Sequence, residues 1–347
     1  MRFLAILTVR NEGAFLLEWL AHHRAVGFTD FLVFSNDCDD GTDLMLDRLQ
    51  DLGLLTHVRN DGVHNRGIQW SALKAADQHP LVASADWIAV LDIDEFVNIH
   101  VGQRHLSDLL DALPDATAIT LTWRLFGNAG VVTMPDQPVT ETFVRAAPAI
   151  LYWPWRAAMF KTLFRNDGTY RKLGVHRPKS PRPGAGKNTR WFDGHGRALT
   201  GPVTRNRVFS DFGRDNYGLV QLNHYALGAM DNFILKRHRG RANRRGTPHG
   251  MSYWVDRNWS QTEDRSVLAL VPERDVHLAT FRGDPTLADL HRAAYEWRRQ
   301  KFRDLMQDEE NRALLGRLML AGPSQPLPVE KAAHLFSFAQ KQAHSPD

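Results

Sequence analysis

Residues 87–96 read Trp87-Ile88-Ala89-Val90-Leu91-Asp92-Ile93-Asp94-Glu95-Phe96. Five apolar residues run directly into three acids. An apolar run of that length reads as a strand buried on both faces, which is the habit of parallel sheets covered by helices. Carboxylates two positions apart on an extended chain point the same way. Asp92 and Asp94 are therefore expected to converge just past the strand end, on the rim where open parallel sheets bind ligands. Converging carboxylates suit a hard divalent cation whose remaining positions are filled by substrate phosphates. A buried strand ending in an acidic turn accounts for these ten residues equally well; the flanking sequence weighs against that plainer account.

Strand and helix signals alternate from the start. Phe3 to Val9, Phe31 to Ser35, Leu54 to Val58 and Trp87 to Leu91 read as strands. Between them, Ala14 to Val26, Thr42 to Leu52 and Ile68 to Gln78 carry helical periodicity, and Gly27 and Gly53 are natural stops. Such alternation implies right-handed crossovers, hence an α/β fold with a mostly parallel sheet and helices on both faces. Ala118 to Arg124 is a further strand, Phe126 to Arg214 reads as irregular, and Leu219 to Tyr225 is a late strand. Residues 230–245 and 286–320 read as C-terminal helices, the latter burying Leu287, Leu290, Trp297, Leu305, Leu314 and Leu318. The expected division is a catalytic unit over 1–228, a packed helical region over 229–322 and a peripheral tail over 323–347.

The chain of 347 residues is 43% hydrophobic and 24% charged, ordinary for a globular protein with a sizeable core. One cysteine, Cys38, excludes an internal disulfide framework and a cysteine-rich zinc site. With a strand starting at Phe3 and no long apolar run, the expectation is a soluble cytoplasmic protein. A net charge of +4 suits anionic ligands such as nucleotide phosphates, or a hold on an anionic membrane surface; as a nucleic-acid signal it is weak, and no nucleic acid is expected as a partner.

Four polar loops follow the four early strands: Thr8 to Gly13, Ser35 to Thr42, Asn60 to Gln69, and Asp92 to Glu95. In a parallel sheet all four face one crevice. Each has a bland role in capping or turning; four around one mouth are harder to explain that way. Val9-Arg10-Asn11-Glu12, Asn36-Asp37-Cys38-Asp39-Asp40-Gly41-Thr42 and Asp92-Ile93-Asp94-Glu95 together resemble the "NE", "DDGSTDGT" and DxD motifs of glycosyltransferase family 2. The chain is especially similar to a bacterial branch related to DUF23-type glycosyltransferases. The likeness continues through Arg165-Asn166-Asp167-Gly168, Gly174-Val175-His176-Arg177-Pro178 and Asn223-His224-Tyr225.

That resemblance implies a GT-A (Rossmann-like) fold, a nucleotide-sugar donor with a UDP-sugar favoured, Mn²⁺ or Mg²⁺, and inversion at the anomeric carbon. Asp94 would bind the metal, Asp92 the metal or the ribose, and His224 would be a late metal ligand. An imidazole beside carboxylates tilts such a site toward Mn²⁺. Asn11, Glu12, Asn36, Asp37, Arg66 and Lys74 would line the base and ribose end, the base contact falling to Asn36 or Asp37. His176 would be a ligand or touch donor or acceptor. Glu141, Asp193 and Asp215 are the candidates for the base that deprotonates the acceptor, a saccharide or lipid-linked molecule. Trp123, Trp153, Trp155 and Trp191 would suit sugar stacking or core packing. From Lys236 to Arg245 the chain is strongly basic. Lys236 or Arg239 would reach the leaving diphosphate, or the segment would hold the protein against anionic lipid at the inner face of a membrane, or it is a solvated face. A nucleotidyltransferase would carry a glycine-rich phosphate loop after the first strand; Asn11-Glu12-Gly13 stands there instead. A non-catalytic nucleotide- or sugar-binding protein is the third class.

Overall fold

The computed structural model describes residues 1–347 apart from 63, 65–66, 186–188, 240–248 and 343–347. The early alternation builds β1 (Phe3–Val9), α1 (Gly13–Val26), β2 (Asp30–Ser35), α2 (Thr42–Asp51), β3 (Thr56–Arg59), α3 (Ile68–Ala76), the short α4 (Pro80–Ser84) and β4 (Trp87–Leu91). Strand β5 (Glu95–Ile99) follows β4 at once, and α5 (Leu106–Ala112) leads to β6 (Ala118–Leu125). The stretch read as irregular holds α6 (Val139–Thr142), β7 (Arg145–Ala146), β8 (Phe160–Arg165), β9 (Tyr170–Lys172), β10 (Lys179–Pro181), β11 (Trp191–Phe192), β12 (Ala198–Leu199) and α7 (Pro202–Arg205). Then come β13 (Val220–His224), α8 (Met230–Arg239), α9 (Met251–Val255), β14 (Thr262–Glu263), α10 (Val271–Arg282), α11 (Pro285–Leu305), α12 (Glu309–Leu320) and α13 (Val329–Gln342).

The large sheet runs β12-β11-β6-β8-β4-β1-β2-β3, with β13 branching from β6 to pair with β5. Strands β3, β2, β1 and β4 are mutually parallel, while β8 lies antiparallel between β4 and β6. The fold class is thus the expected one, with one correction: Phe126 to Arg214 supplies a central strand. Phe160 to Phe164 shows a strand's apolar character broken by Lys161 and Thr162, which is why the run is easily passed over.

Topology decides what reaches the rim. β6 runs parallel to β4, and β13 parallel to β6, so Leu91, Leu125 and His224 end on the same side. The antiparallel strands β5 and β8 deliver their beginnings there instead, Glu95 and Lys161. Below the rim the sheet is dry. One apolar layer joins β1, β4 and β6 to α1 and continues into Leu278 and Phe281 of α10 and Leu287 and Tyr295 of α11. The other layer packs Ile6, Phe34 and Ile88 against Ala72, Leu73 and Ala76 of α3. Helix α11 lies so close over the start of α1 that a Cβ on Gly13 would come within 2.9 Å of the Ala294 Cβ. The core therefore crosses the boundary expected at residue 228, because α1 is covered on its outer side by the C-terminal helices.

Candidate functional site

Residues 92–94 form a tight turn between β4 and β5. The expectation that Asp92 and Asp94 converge as neighbours on one extended strand is thereby corrected. Both acids line one cleft, of about 1900 Å³ counted out to its mouth, but each is held by its own lysine. Lys161 Nζ donates to Asp92 Oδ2 at 2.8 Å and lies 3.5 Å from Glu95 Oε2. Lys236 Nζ donates to Asp94 Oδ2 at 2.6 Å and to the Ala226 carbonyl at 2.9 Å.

The Asp92 side is rigid. Gln69 Nε2 donates to Asp92 Oδ1 at 3.1 Å. Glu95, with no exposed surface, accepts the Asp92 amide at 2.8 Å and the Trp123 indole N–H at 2.6 Å. Burial pushes the Glu95 carboxyl up, against the pull of Lys161. Burial alone would pull the Lys161 ammonium down, but Asp92 and Glu95 outweigh it, so the lysine stays charged. On the Asp94 side, burial would raise the carboxyl, yet Lys236 and His224 hold it well below the usual carboxylate range.

A divalent cation is implied by the resemblance, and the donor set admits one. His224 Nε2 stands 3.7 Å from Asp94 Oδ1, too far for a good hydrogen bond and close enough for two donors to share one ion. Burial lowers the His224 pKa, which favours the neutral imidazole a metal needs, and its Nδ1 is buried without a hydrogen-bond partner among the described residues. No group of three or more acid, histidine or cysteine side chains clusters as a metal cage among the described residues. Asp94 and His224 would hold such an ion, with Asp92 adjacent, and the substrate and water would supply its remaining ligands.

The cleft's other wall is basic. Arg239, at the end of α8, donates to Glu12 Oε1 and to the Arg10 carbonyl. Arg156 and Arg257 also line the cleft, as does His176, whose Nδ1 lies 3.0 Å from the Phe160 carbonyl and whose pKa burial lowers to about 4. The Trp123 ring lies tilted against His224 with centroids 4.2 Å apart, and it is the one of the four singled-out tryptophans that lines this cleft.

Among the nucleotide-site candidates, Glu12, Asp92, His176, Lys236 and Arg239 line the cleft. Asn11 lies behind it, exchanging hydrogen bonds with Asp39. Asn36 is buried and donates to Asp37 Oδ2, while Asp37 is tied to Asp61 and Gly62; neither lines the cleft. Lys74 is exposed on α3, opposite the face that buries Ala72, Leu73 and Ala76, so the helix turns it away. Arg66 lies outside the described residues.

The base candidates are placed elsewhere. Asp193 is buried in the β11–β12 turn, accepting the His195 and Arg197 amides and pairing with the Arg197 side chain. Glu141 pairs with Arg274 at 2.5 Å. Asp215 accepts the Tyr217 amide and stands 3.8 Å from His195. None of the three lines the cleft; they staple turns and helices. Sequence reading missed Asp256, at the end of α9. It lines the cleft and, unlike Glu12, Asp92 and Asp94, has no ion-pair partner among the described residues. No motif marks it. Lys161 did carry a signal, being a lone lysine within an apolar run.

Comparison with known proteins gives partial alignments. A glycosyltransferase family 92 protein of Ricinus communis is 25% identical over 138 residues, 38% of this chain and 24% of that protein. One of Oryza sativa subsp. japonica is 26% identical over 141 residues, 39% of this chain and 23% of that protein. The matched part of this chain thus spans about a quarter of those relatives. Among solved structures, S. aureus TarS 1–349 is 13% identical with a TM-score of 0.33, over 82% of this chain and 74% of that one. The motif resemblance pointed to glycosyltransferases, under the names of family 2 and DUF23; the family model that matches, glycosyltransferase family 92, bears out the class but not specifically those names. It covers residues 8–190, more than half of the chain, and takes in the Asp92–Glu95 turn and Lys161. The chain belongs to glycosyltransferase family 92.

Proposed function

We propose that the chain transfers a sugar from a nucleotide diphosphate sugar, a UDP-sugar, to a saccharide or lipid-linked acceptor, with Mn²⁺ or Mg²⁺ and with inversion. The observation that carries this reading is the floor of the cleft. Asp94 stands between His224 and Lys236, Asp92 is locked beside it, and Arg239, Arg156 and Arg257 face them. A bound divalent cation would act as a Lewis acid on the departing diphosphate. Lys236 and Arg239, on one face of α8, stand where they meet the same phosphates, with the guanidinium fork suited to them. Trp123 offers a ring for the sugar, and Asp256, a cleft carboxylate without an ion-pair partner among the described residues, takes the acceptor proton. Uracil selection, inversion and the finer likeness to family 2 rest on the motif resemblance.

A nucleotidyltransferase is disfavoured by the loop after β1. Its Glu12 is spent on Arg239, and the Gly13 amide donates to Asp40 at 3.0 Å, where a phosphate cradle would leave its amides free. The test is incubation with a panel of nucleotide sugars and Mn²⁺, scoring nucleoside diphosphate release with and without saccharide acceptors. Release from none of the panel sinks the proposal. Cytoplasmic location and contact with an anionic membrane remain part of the reading. The basic residues assigned to membrane contact, Arg241, Arg244 and Arg245, lie outside the described residues, and co-sedimentation with anionic vesicles at low salt tests them.

A further inference from the structure

Behind the donor cleft, between the sheet and helices α8 and α11, lies a second cavity with about 980 Å³ of empty space counted to its mouth. It shares a wall with the cleft: the Glu12–Arg239 and Asp94–Lys236 pairs stand between them. Phe15, Phe96, Tyr225 and Leu235 give its lining an apolar body, Arg298, Lys301 and Arg10 give a cationic side, and the acids Glu12, Asp39 and Asp94 also line it.

Arg298 is the decisive residue. It is 8% exposed, lines this cavity, and its guanidinium lies over the Phe15 ring at 4.7 Å. It has neither an ion pair nor a hydrogen bond among the described residues. The acids nearest in charge are already engaged: Glu12 holds Arg239, and Asp231 accepts the Met134 and Asn232 amides. Burial lowers the Arg298 pKa, with Glu12 and Asp231 only partly offsetting it. Arg10 Nε is buried without a hydrogen-bond partner among the described residues. A buried guanidinium lacking a counter-ion is costly, and folded chains carry one where a ligand supplies the charge. An apolar chamber of this size with a few convergent polar groups is the usual form of a small-molecule site.

We infer that this chamber is a second ligand site, taking a soluble organic oxyanion whose phosphate or carboxylate meets Arg298 and whose apolar or aromatic body lies among Phe15, Phe96 and Leu235. The site stands apart from the donor reading, since Arg298 and Trp297 do not line the donor cleft.

Phenyl phosphate and benzoate serve as probes, titrated by calorimetry into the full-length chain already saturated with UDP and Mn²⁺. One saturable site is expected for at least one of them. Arg298→Met keeps the stem over Phe15 and removes the charge; it should weaken that probe roughly tenfold or more, the worth of one charge-assisted hydrogen bond, with UDP affinity unchanged. Trp297, half-buried in the lining, should report occupancy as a fluorescence change that Trp297→Phe abolishes while binding persists, which places the probe even if Arg298→Met folds poorly. The inference is overturned if neither probe binds, if Arg298→Met binds as tightly as the parent chain, or if the fluorescence change survives in Trp297→Phe. UDP binding is read separately in every case, so failure of the donor reading shows on its own.

Discussion

Lys161 has no exposed surface, and a lysine is tolerated there because Asp92 and Glu95 sit at its tip. Removing one member of such a buried cluster leaves uncompensated charge. Lys161→Met is expected to cost roughly 3–5 kcal/mol of stability, read as a lowered urea midpoint. Asp94 behaves differently from a crowded acid awaiting relief. Its charge is already answered by Lys236, so Asp94→Asn is expected to leave the folded state no more stable while abolishing metal-dependent UDP binding. Full UDP binding by Asp94→Asn, or full activity in EDTA, would remove the metal from the proposal. Asp256→Asn should lower transfer by about 10²–10⁴-fold, the usual worth of a positioned base, with UDP affinity unchanged. A UDP affinity that falls in step with the rate would make Asp256 a binding residue instead. Of these residues, Asp92, Asp94 and Lys236 were legible from motif and spacing. Lys161 showed only as a lysine in an apolar run and Asp256 not at all, since their importance comes from what lies opposite them across the chain.

Helix α1 is buried almost all round, between the sheet on one side and α10 and α11 on the other. Its polar residues therefore satisfy backbone. Glu18 caps the start of α6 through the Val139 and Thr140 amides at 2.6 and 3.0 Å, and His22 Nε2 meets the Val97 carbonyl at 2.8 Å. Burial lowers the His22 pKa to about 4, so the unfolded chain binds a proton between that value and the ordinary 6.5 that the folded chain refuses. The contribution of His22 is thus present above pH 6.5 and is lost as pH falls toward 4. Comparing urea unfolding at pH 7 and pH 5, the drop in stability should be smaller in His22→Gln by about 2 kcal/mol. Equal drops would show that His22 titrates normally. Periodicity revealed that α1 is a helix; that it has two covered faces was decided by helices more than two hundred residues away, which no local pattern encodes.

One of the apolar layers runs from β1 to α11, across most of the molecule. Leu278, Phe281, Leu287 and Tyr295 are buried in the same layer as Leu16 and Leu20. At roughly 2 kcal/mol for each buried side chain, those four approach the entire net stability of an ordinary domain. A chain ending at Gly228 is accordingly expected not to fold cooperatively, and a sharp thermal transition in circular dichroism would show that residues 1–228 fold as a separate unit. By itself the sequence determined the early alternation of strand and helix, the parallel half of the sheet, the rim on which the acids fall and the glycosyltransferase class, because periodicity, turn chemistry and contiguous motifs are properties of neighbours along the chain. Only the tertiary structure decided the rest. β8 entered between β4 and β6 and brought Lys161 to Asp92, α8 laid Lys236 and Arg239 across the floor of the cleft, and α11 enclosed Arg298 without a counter-ion among the described residues. The first two arrangements depend on charges that meet across long sequence separations, where the cost of burying each is offset by a partner that folding itself brings close.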